Sequence, residues 1–132
     1  MPKKGDYFIV SLTKSNLSWG TNRHTDSRDK IDGEAYISIP REKAVQFEIY
    51  NSNKGKEGIG YNEFNATSDD GLLKVTVKVA GSTKANDVYA KNLQTSGDLK
   101  KLGVWFNQIN AAVGDRIEVH WISSTDIILT KI

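Results

Sequence analysis

The stretch from Leu72 to Ala80 does most to limit what this chain can become. Leu73, Val75, Val77 and Val79 alternate with Lys74, Thr76 and Lys78, a period of two that marks a half-buried β-strand. Asp69-Asp70-Gly71 stands before it with the residues of a tight turn. Ahead of that turn, Tyr61 to Thr67 alternates Tyr61, Glu63 and Asn65 against Asn62, Phe64 and Ala66. Two alternating runs joined by a turn read as antiparallel β-structure.

Further runs extend the pattern. Asp6 to Thr13 carries Tyr7, Phe8, Ile9, Val10 and Leu12, all strong strand formers. Glu34 to Pro40 sets Ala35, Ile37 and Ile39 on one face and Tyr36 and Ser38 on the other, and Pro40 ends it. A short helix is predicted over Arg41 to Phe47, since Pro suits a helix start and Arg41-Glu42-Lys43-Ala44 are good formers. Glu48 to Asn51 reads as another strand, with a loop at 53–58 after it. Gly97-Asp98-Leu99 opens a second helix, with Leu102, Phe106 and Ile109 at helical spacing and Gly103 weakening or splitting it. Val113-Gly114-Asp115 is a turn, followed by strands Arg116 to Ile122 and Asp126 to Lys131. Short strands joined by tight turns predict a mainly β barrel or open barrel with two short helices.

The length of 132 residues fits one domain spanning 1–132, without repeat or linker. The absence of cysteine excludes a disulfide framework, a thiolate metal site and a cysteine nucleophile. No secretory leader and no apolar run of about 18 residues is present, so a soluble, cytoplasmic protein is expected, without a membrane partner. The net charge of +2 is too small by itself to identify a partner.

Catalytic patterns are missing. The two histidines, His24 and His120, do not pair at ligand spacing. A carboxylate nuclease needs an Asp followed by an acidic-x-Lys element to hold a divalent ion near an activating lysine, and no such supported element occurs. Asp69-Asp70 is read as a turn, not a metal site. No Gly-x-Ser-x-Gly elbow, His-x-Lys or phosphate loop is found. The expectation is a non-enzyme with no cofactor and no metal.

Two polar excursions break the rhythm of tight turns, and long connections of this kind are commonly functional. The first, Lys14 to Gly33, holds Lys14, Ser15, Asn16, Trp19, Thr21, Asn22, Arg23, Arg28 and Lys30, with Asp26 and Asp29 as the acids up to Lys30. The second, Gly81 to Ser96, holds Lys84, Asn86, Tyr89, Lys91 and Asn92 against Asp87. Arg and Asn side chains can pair bidentately with guanine and adenine edges, while Lys, Ser and Thr take phosphates. By this chemistry Arg23, Arg28, Asn16, Asn22 and Asn86 are candidates for bases, and Lys14, Lys84 and Lys91 for phosphates. The alternative for the first excursion is a solvated loop whose Trp19 packs on the barrel; for the second, an ordinary polar hairpin. Lys100-Lys101, at the second helix, is a further candidate for phosphate, and Lys54-Gly55-Lys56 reads as a loop tip.

The order Asn16-Leu17-Ser18-Trp19-Gly20, Arg28-Asp29, Glu34-Ala35-Tyr36-Ile37-Ser38-Ile39-Pro40 resembles the DNA-recognition domain of certain restriction endonucleases. Phe64, Thr67-Ser68-Asp69-Asp70-Gly71, Leu102-Gly103 and Ile127 to Ile132 are similar to that family in the same order. The resemblance implies a B3-like seven-stranded open pseudobarrel, related to plant B3-type transcription-factor domains, that grips the major groove of double-stranded DNA between two arms. Lys14 to Lys30 would be the first arm and Gly81 to Asn92 the second, with cleavage supplied by a nuclease domain or subunit. Thr21-Asn22 stands where relatives carry a basic or glutamine residue, so the target sequence is expected to be the chain's own. Two other classes make different predictions. A carbohydrate or small-molecule barrel using Trp19, Trp105 or Trp121 would bind regardless of salt, and a protein-interaction module would show no DNA affinity at low salt.

Overall fold

A computed structural model describes residues 1–17, 35–55, 57–81, 87–98 and 100–132. Seven strands form one sheet: β1 (Tyr7–Ser11), β2 (Ile37–Ser38), β3 (Glu63–Ser68), β4 (Lys74–Ala80), β5 (Asn92–Thr95), β6 (Arg116–Trp121) and β7 (Asp126–Lys131). The helices among the described residues are α1 (Lys14–Leu17), α2 (Arg41–Gln46) and α3 (Lys100–Gln108). Across the sheet the order is β1-β6-β7-β3-β4-β5-β2, antiparallel throughout except for the parallel pair β3 and β7. The sheet is nearly closed. Helix α2 follows β2 through Pro40 and shares a groove with β1, so it spans the gap between the two edge strands.

Alternation delivers one residue in two to the interior. Phe8, Ile37, Phe64, Val77, Val79, Leu93, Ile117, Val119, Trp121, Ile127 and Leu129 are all buried there. Trp121 is the hub: Phe64 meets its ring edge-on at 5.5 Å and Phe8 lies 6.0 Å away. Helix α3 closes one side with Leu102, Trp105 and Phe106. It runs unbroken through Gly103, so of the two expected outcomes, weakening or splitting, the split does not occur; its buried side chains outweigh a glycine cost of about 1 kcal/mol. Asp98 starts it by accepting the Lys100 N–H at 2.9 Å.

The Asp69-Asp70-Gly71 turn joins β3 to β4 as expected. Asp70 accepts the Ser68 hydroxyl, the Leu72 N–H and the Trp105 ring N–H, and so fastens hairpin to helix. The Ser68 hydroxyl, followed by the Leu72 N–H, holds the Asp70 carboxyl below its ordinary range.

Three expectations need correction. Glu48 to Asn51 is not a strand: it contributes an isolated bridge, Tyr50 to Tyr89, and Asn51 then caps a single 3-10 turn, Ser52–Lys54. The second excursion is shorter than expected because Asn92–Thr95 is strand β5, paired with both β4 and β2. Its one large apolar residue, Leu93, gives no periodicity to read. Among the described residues the helices are three rather than two, since the first excursion begins with the single turn α1.

Candidate nucleic-acid interface

The first excursion leaves β1 and returns to β2, the second leaves β4 and returns to β5, and a buried asparagine stands at each root. At the first, Thr13 and Asn16 cap α1 reciprocally. The Asn16 N–H donates to Thr13 Oγ1 at 3.2 Å, while Asn16 Oδ1 accepts from the Thr13 N–H at 2.8 Å and its hydroxyl at 2.9 Å. Asn16 Nδ2 then reaches across the arm to donate to the Tyr36 carbonyl and Ser38 Oγ, each at 3.1 Å. The Tyr36 N–H returns a bond to the Asn16 carbonyl at 3.2 Å. The chain leaving at Leu17 and the chain returning at Ala35 are thereby tied together.

The second root is held by Asn51. Its Nδ2 donates to the carbonyls of Gly81 at 3.1 Å and of Asp87 and Tyr89 at 3.2 Å, so it grips both the departing and the returning chain. Its Oδ1 accepts the Asn53 N–H at 2.8 Å, and Asn53 Nδ2 adds a bond to the Asp87 carbonyl at 3.0 Å. Gly81, at φ +86°, makes the bend that takes the chain off β4, a conformation glycine adopts without strain.

The register of β2 and β5 sets Ser38 opposite Asn92, which brings the two roots side by side. Between them lies a groove of about 430 Å³ lined by Tyr36, Ser38, Arg41, Lys91 and Asn92 over Ile39 and Ala90. Arg41 is 60% exposed yet fixed: its guanidinium donates to Asp87 Oδ2 at 2.6 Å and lies 5.3 Å from the centre of the Tyr89 ring. Tyr89 packs on Tyr50 at 5.5 Å, and the Lys54 ammonium sits 4.9 Å from the centre of the Tyr50 ring. Burial, the Glu48 carboxylate and Tyr89 raise the Tyr50 phenol above its usual pKa.

Of the expected contact residues, Lys14 and Lys91 are exposed, Ser15, Tyr89 and Asn92 half-buried, and Asn16 fully buried. Asn16 is therefore corrected from base reader to anchor, because both polar ends of its side chain are committed inside the domain. Trp19, Thr21, Asn22, Arg23, Arg28, Lys30, Lys84 and Asn86 lie outside the described residues. Lys101 lines a different groove, with Leu72 and Val104 beside the β3–β4 turn, and so is not part of this surface. Tyr36, Ser38 and Arg41 line this surface and buried Asn51 anchors it; the alternation puts Tyr36 and Ser38 on one face, but nothing in the sequence assigns the four to one site. An asparagine after Ile49-Tyr50 carries no local sign that it will meet chain 30 to 38 residues away.

A nearly closed seven-stranded sheet with two excursions clamped at neighbouring roots defines a B3-type pseudobarrel. The chain belongs to the family described as the NgoFVII C-terminal B3-like DNA-binding domain, which matches residues 6–119. It is thus a DNA-binding domain of a restriction-enzyme family. Among solved structures it is similar to the Arabidopsis FUS3–DNA complex, with a TM-score of 0.51 at 14% identity over 94% of this chain and 93% of that one. It is also similar to the N-terminal domain of Helicobacter pylori LlaJI.R1, with a TM-score of 0.53 at 13% identity over 96% of this chain and 79% of that one. No curated protein sequence matches the chain.

Proposed function

We propose that the domain reads a specific sequence in the major groove of double-stranded DNA through its two arms, and that a nuclease domain or subunit acts on the DNA it selects. The observation that carries this reading is the placement of the arm roots. The first root, Asn16 tied to Tyr36 and Ser38, and the second, Asn51 tied to Gly81, Asp87 and Tyr89, stand beside one groove lined by Arg41, Lys91 and Asn92. A paired anchorage of this kind holds two reading segments at a set spacing, which a duplex requires and a flexible charged loop cannot provide.

Lys14, Lys84 and Lys91 supply phosphate contacts, and Arg23, Arg28, Asn22 and Asn86 the base contacts. Ser15, Thr21, Lys30, Tyr89 and Asn92 complete the surface, and Trp19 shapes the first arm. The chain itself is non-catalytic in this reading, and the work of cleavage lies with the partner. A sugar-binding barrel is disfavoured, because Trp105 and Trp121 are buried and offer no face for stacking. No helix among the described residues is long and apolar enough to cross a membrane.

Selection from a randomised duplex library, at low and at near-physiological salt, tests the proposal. An enriched motif that survives the higher salt is expected. Binding without a motif would reduce the surface to a charged one, and the sequence-reading assignment would then fail. Within an enriched motif, Arg23→Ala or Arg28→Ala should cost about 1–3 kcal/mol and relax one position.

A further inference from the structure

The foot of the second arm carries a feature that the arms alone do not explain. Four side chains stack in the order Lys54, Tyr50, Tyr89, Arg41, a cation at each end of an aromatic pair. Both cations are exposed, and neither is carried by an arm. Arg41 begins α2 and Lys54 ends the 3-10 turn.

Both are also held in place by the groups that hold the arm. Asp87, whose side chain is 6% exposed, accepts the Tyr89 N–H through Oδ1 and Arg41 through Oδ2. Lys54 follows Asn51 and Asn53, which bind the Asp87 carbonyl. Among the described residues Lys54 has no ion pair, and the one acceptor of Arg41 is Asp87. A guanidinium has five N–H donors in a fixed fork, so most of those on Arg41 stay available beside the groove. Stacking on the tyrosines holds both cations at set positions; Arg41 also pairs with Asp87 and keeps its remaining N–H donors.

Fixed, exposed cations next to a DNA-reading arm meet the chemical demand of a phosphodiester backbone, which is a set of anionic oxygens at regular spacing. We propose that Arg41 and Lys54, mounted on Tyr89 and Tyr50, form a phosphate-binding ledge on the body of the barrel that seats the DNA backbone beside the second arm. The ledge rests on the reading of the domain as a duplex binder. It adds two contacts outside either arm, and it makes no distinction between sequences.

The test measures the dependence of duplex affinity on salt for the intact protein and for Arg41→Gln, Lys54→Gln, the double variant and Arg41→Lys. The probes are the duplex enriched by selection and a random duplex of equal length. Each removed cation should flatten the slope of log affinity against log salt by about 0.9, with equal loss on both duplexes. Arg41→Lys should retain the wild-type slope. Near-ultraviolet circular dichroism and thermal melting, recorded for every variant, separate loss of charge from loss of fold. Folded glutamine variants that keep the wild-type slope, or that lose affinity on the enriched duplex alone, would overturn the ledge while leaving the duplex reading intact. A wild-type protein that binds no duplex even at low salt would overturn the underlying reading, and the ledge with it.

Discussion

The two arm roots solve one mechanical problem with the same residue type in different ways. Asn16 belongs to the arm it anchors. It sits in α1, caps it with Thr13, and reaches the returning chain about twenty residues on, at Tyr36 and Ser38. Asn51 belongs to neither end of the arm it holds; it approaches from a third segment and collects the carbonyls of Gly81, Asp87 and Tyr89. The first root is therefore anchored by its own chain, and the second depends on the body of the barrel. Damage to the 49–54 segment should pass into the second arm and spare the first.

The largest effect should come from Asn51→Ala. It removes the shared donor of the Gly81, Asp87 and Tyr89 carbonyls, of which Asp87 keeps Asn53 Nδ2, and the Asn51 acceptor of the Asn53 N–H, and unsatisfied buried groups cost about 1–3 kcal/mol each where water cannot replace the bond. A loss of roughly 3 kcal/mol in urea unfolding is expected, together with reduced hydrogen-exchange protection at Asp87 to Tyr89. Unchanged protection there would remove the claim that the third segment governs the second arm.

Asn16→Ala should cost less, about 2 kcal/mol, because part of its network is a one-turn helix cap open to water. The comparison sharpens in the DNA readout. The variant should bind more weakly but select the same motif, since Asn16 is buried among protein partners. A changed base at one position would restore it as a reader.

Asp70 provides a control at the other end of β4, beside the hairpin turn and far from Gly81. Asp70→Ala leaves the buried Trp105 ring N–H without its acceptor, at a cost of about 1–2 kcal/mol. The salt dependence of DNA binding should not move. The Asp70 carboxyl is held below its ordinary value of 3.8 in the folded state, so the stability it adds is fully present above that value and fades as pH falls through the folded one. The variant should lose that part of the acid sensitivity in melts taken from about pH 5 down to about pH 2.

The smallest change in stability, within about 0.5 kcal/mol, is expected for the exposed Lys91→Ala. Its effect belongs to DNA binding: a salt slope flatter by about 0.9 and an equal loss on every duplex. A loss limited to one sequence would turn Lys91 from a phosphate contact into a base contact.

Much of the sheet is legible in the residue pattern alone. In β4 and β6 the alternation of apolar and polar residues is carried by each segment by itself, and Ala35, Ile37 and Ile39 share a buried face as their spacing predicts. The polar excursions also stand out by composition, and Lys91, Tyr89 and Asn92, which that composition assigns to the second arm, meet at its root. Strand β5 is not legible, because Asn-Leu-Gln-Thr becomes a strand only through the ladders offered by β4 and β2. Nor are the roles of the two anchors, since an asparagine looks the same whether it faces a base or a carbonyl.

The sequence by itself thus determined the β-rich class and that two polar excursions interrupt the strands, because side-chain periodicity, composition and turn chemistry act over a few residues. Only the tertiary structure decided that Asn16 and Asn51 face inward and that Arg41 and Lys54 frame a pair of tyrosines. Those assignments depend on hydrogen-bond partners and rings brought together from distant parts of the chain, and an amide or a guanidinium takes its role from what surrounds it.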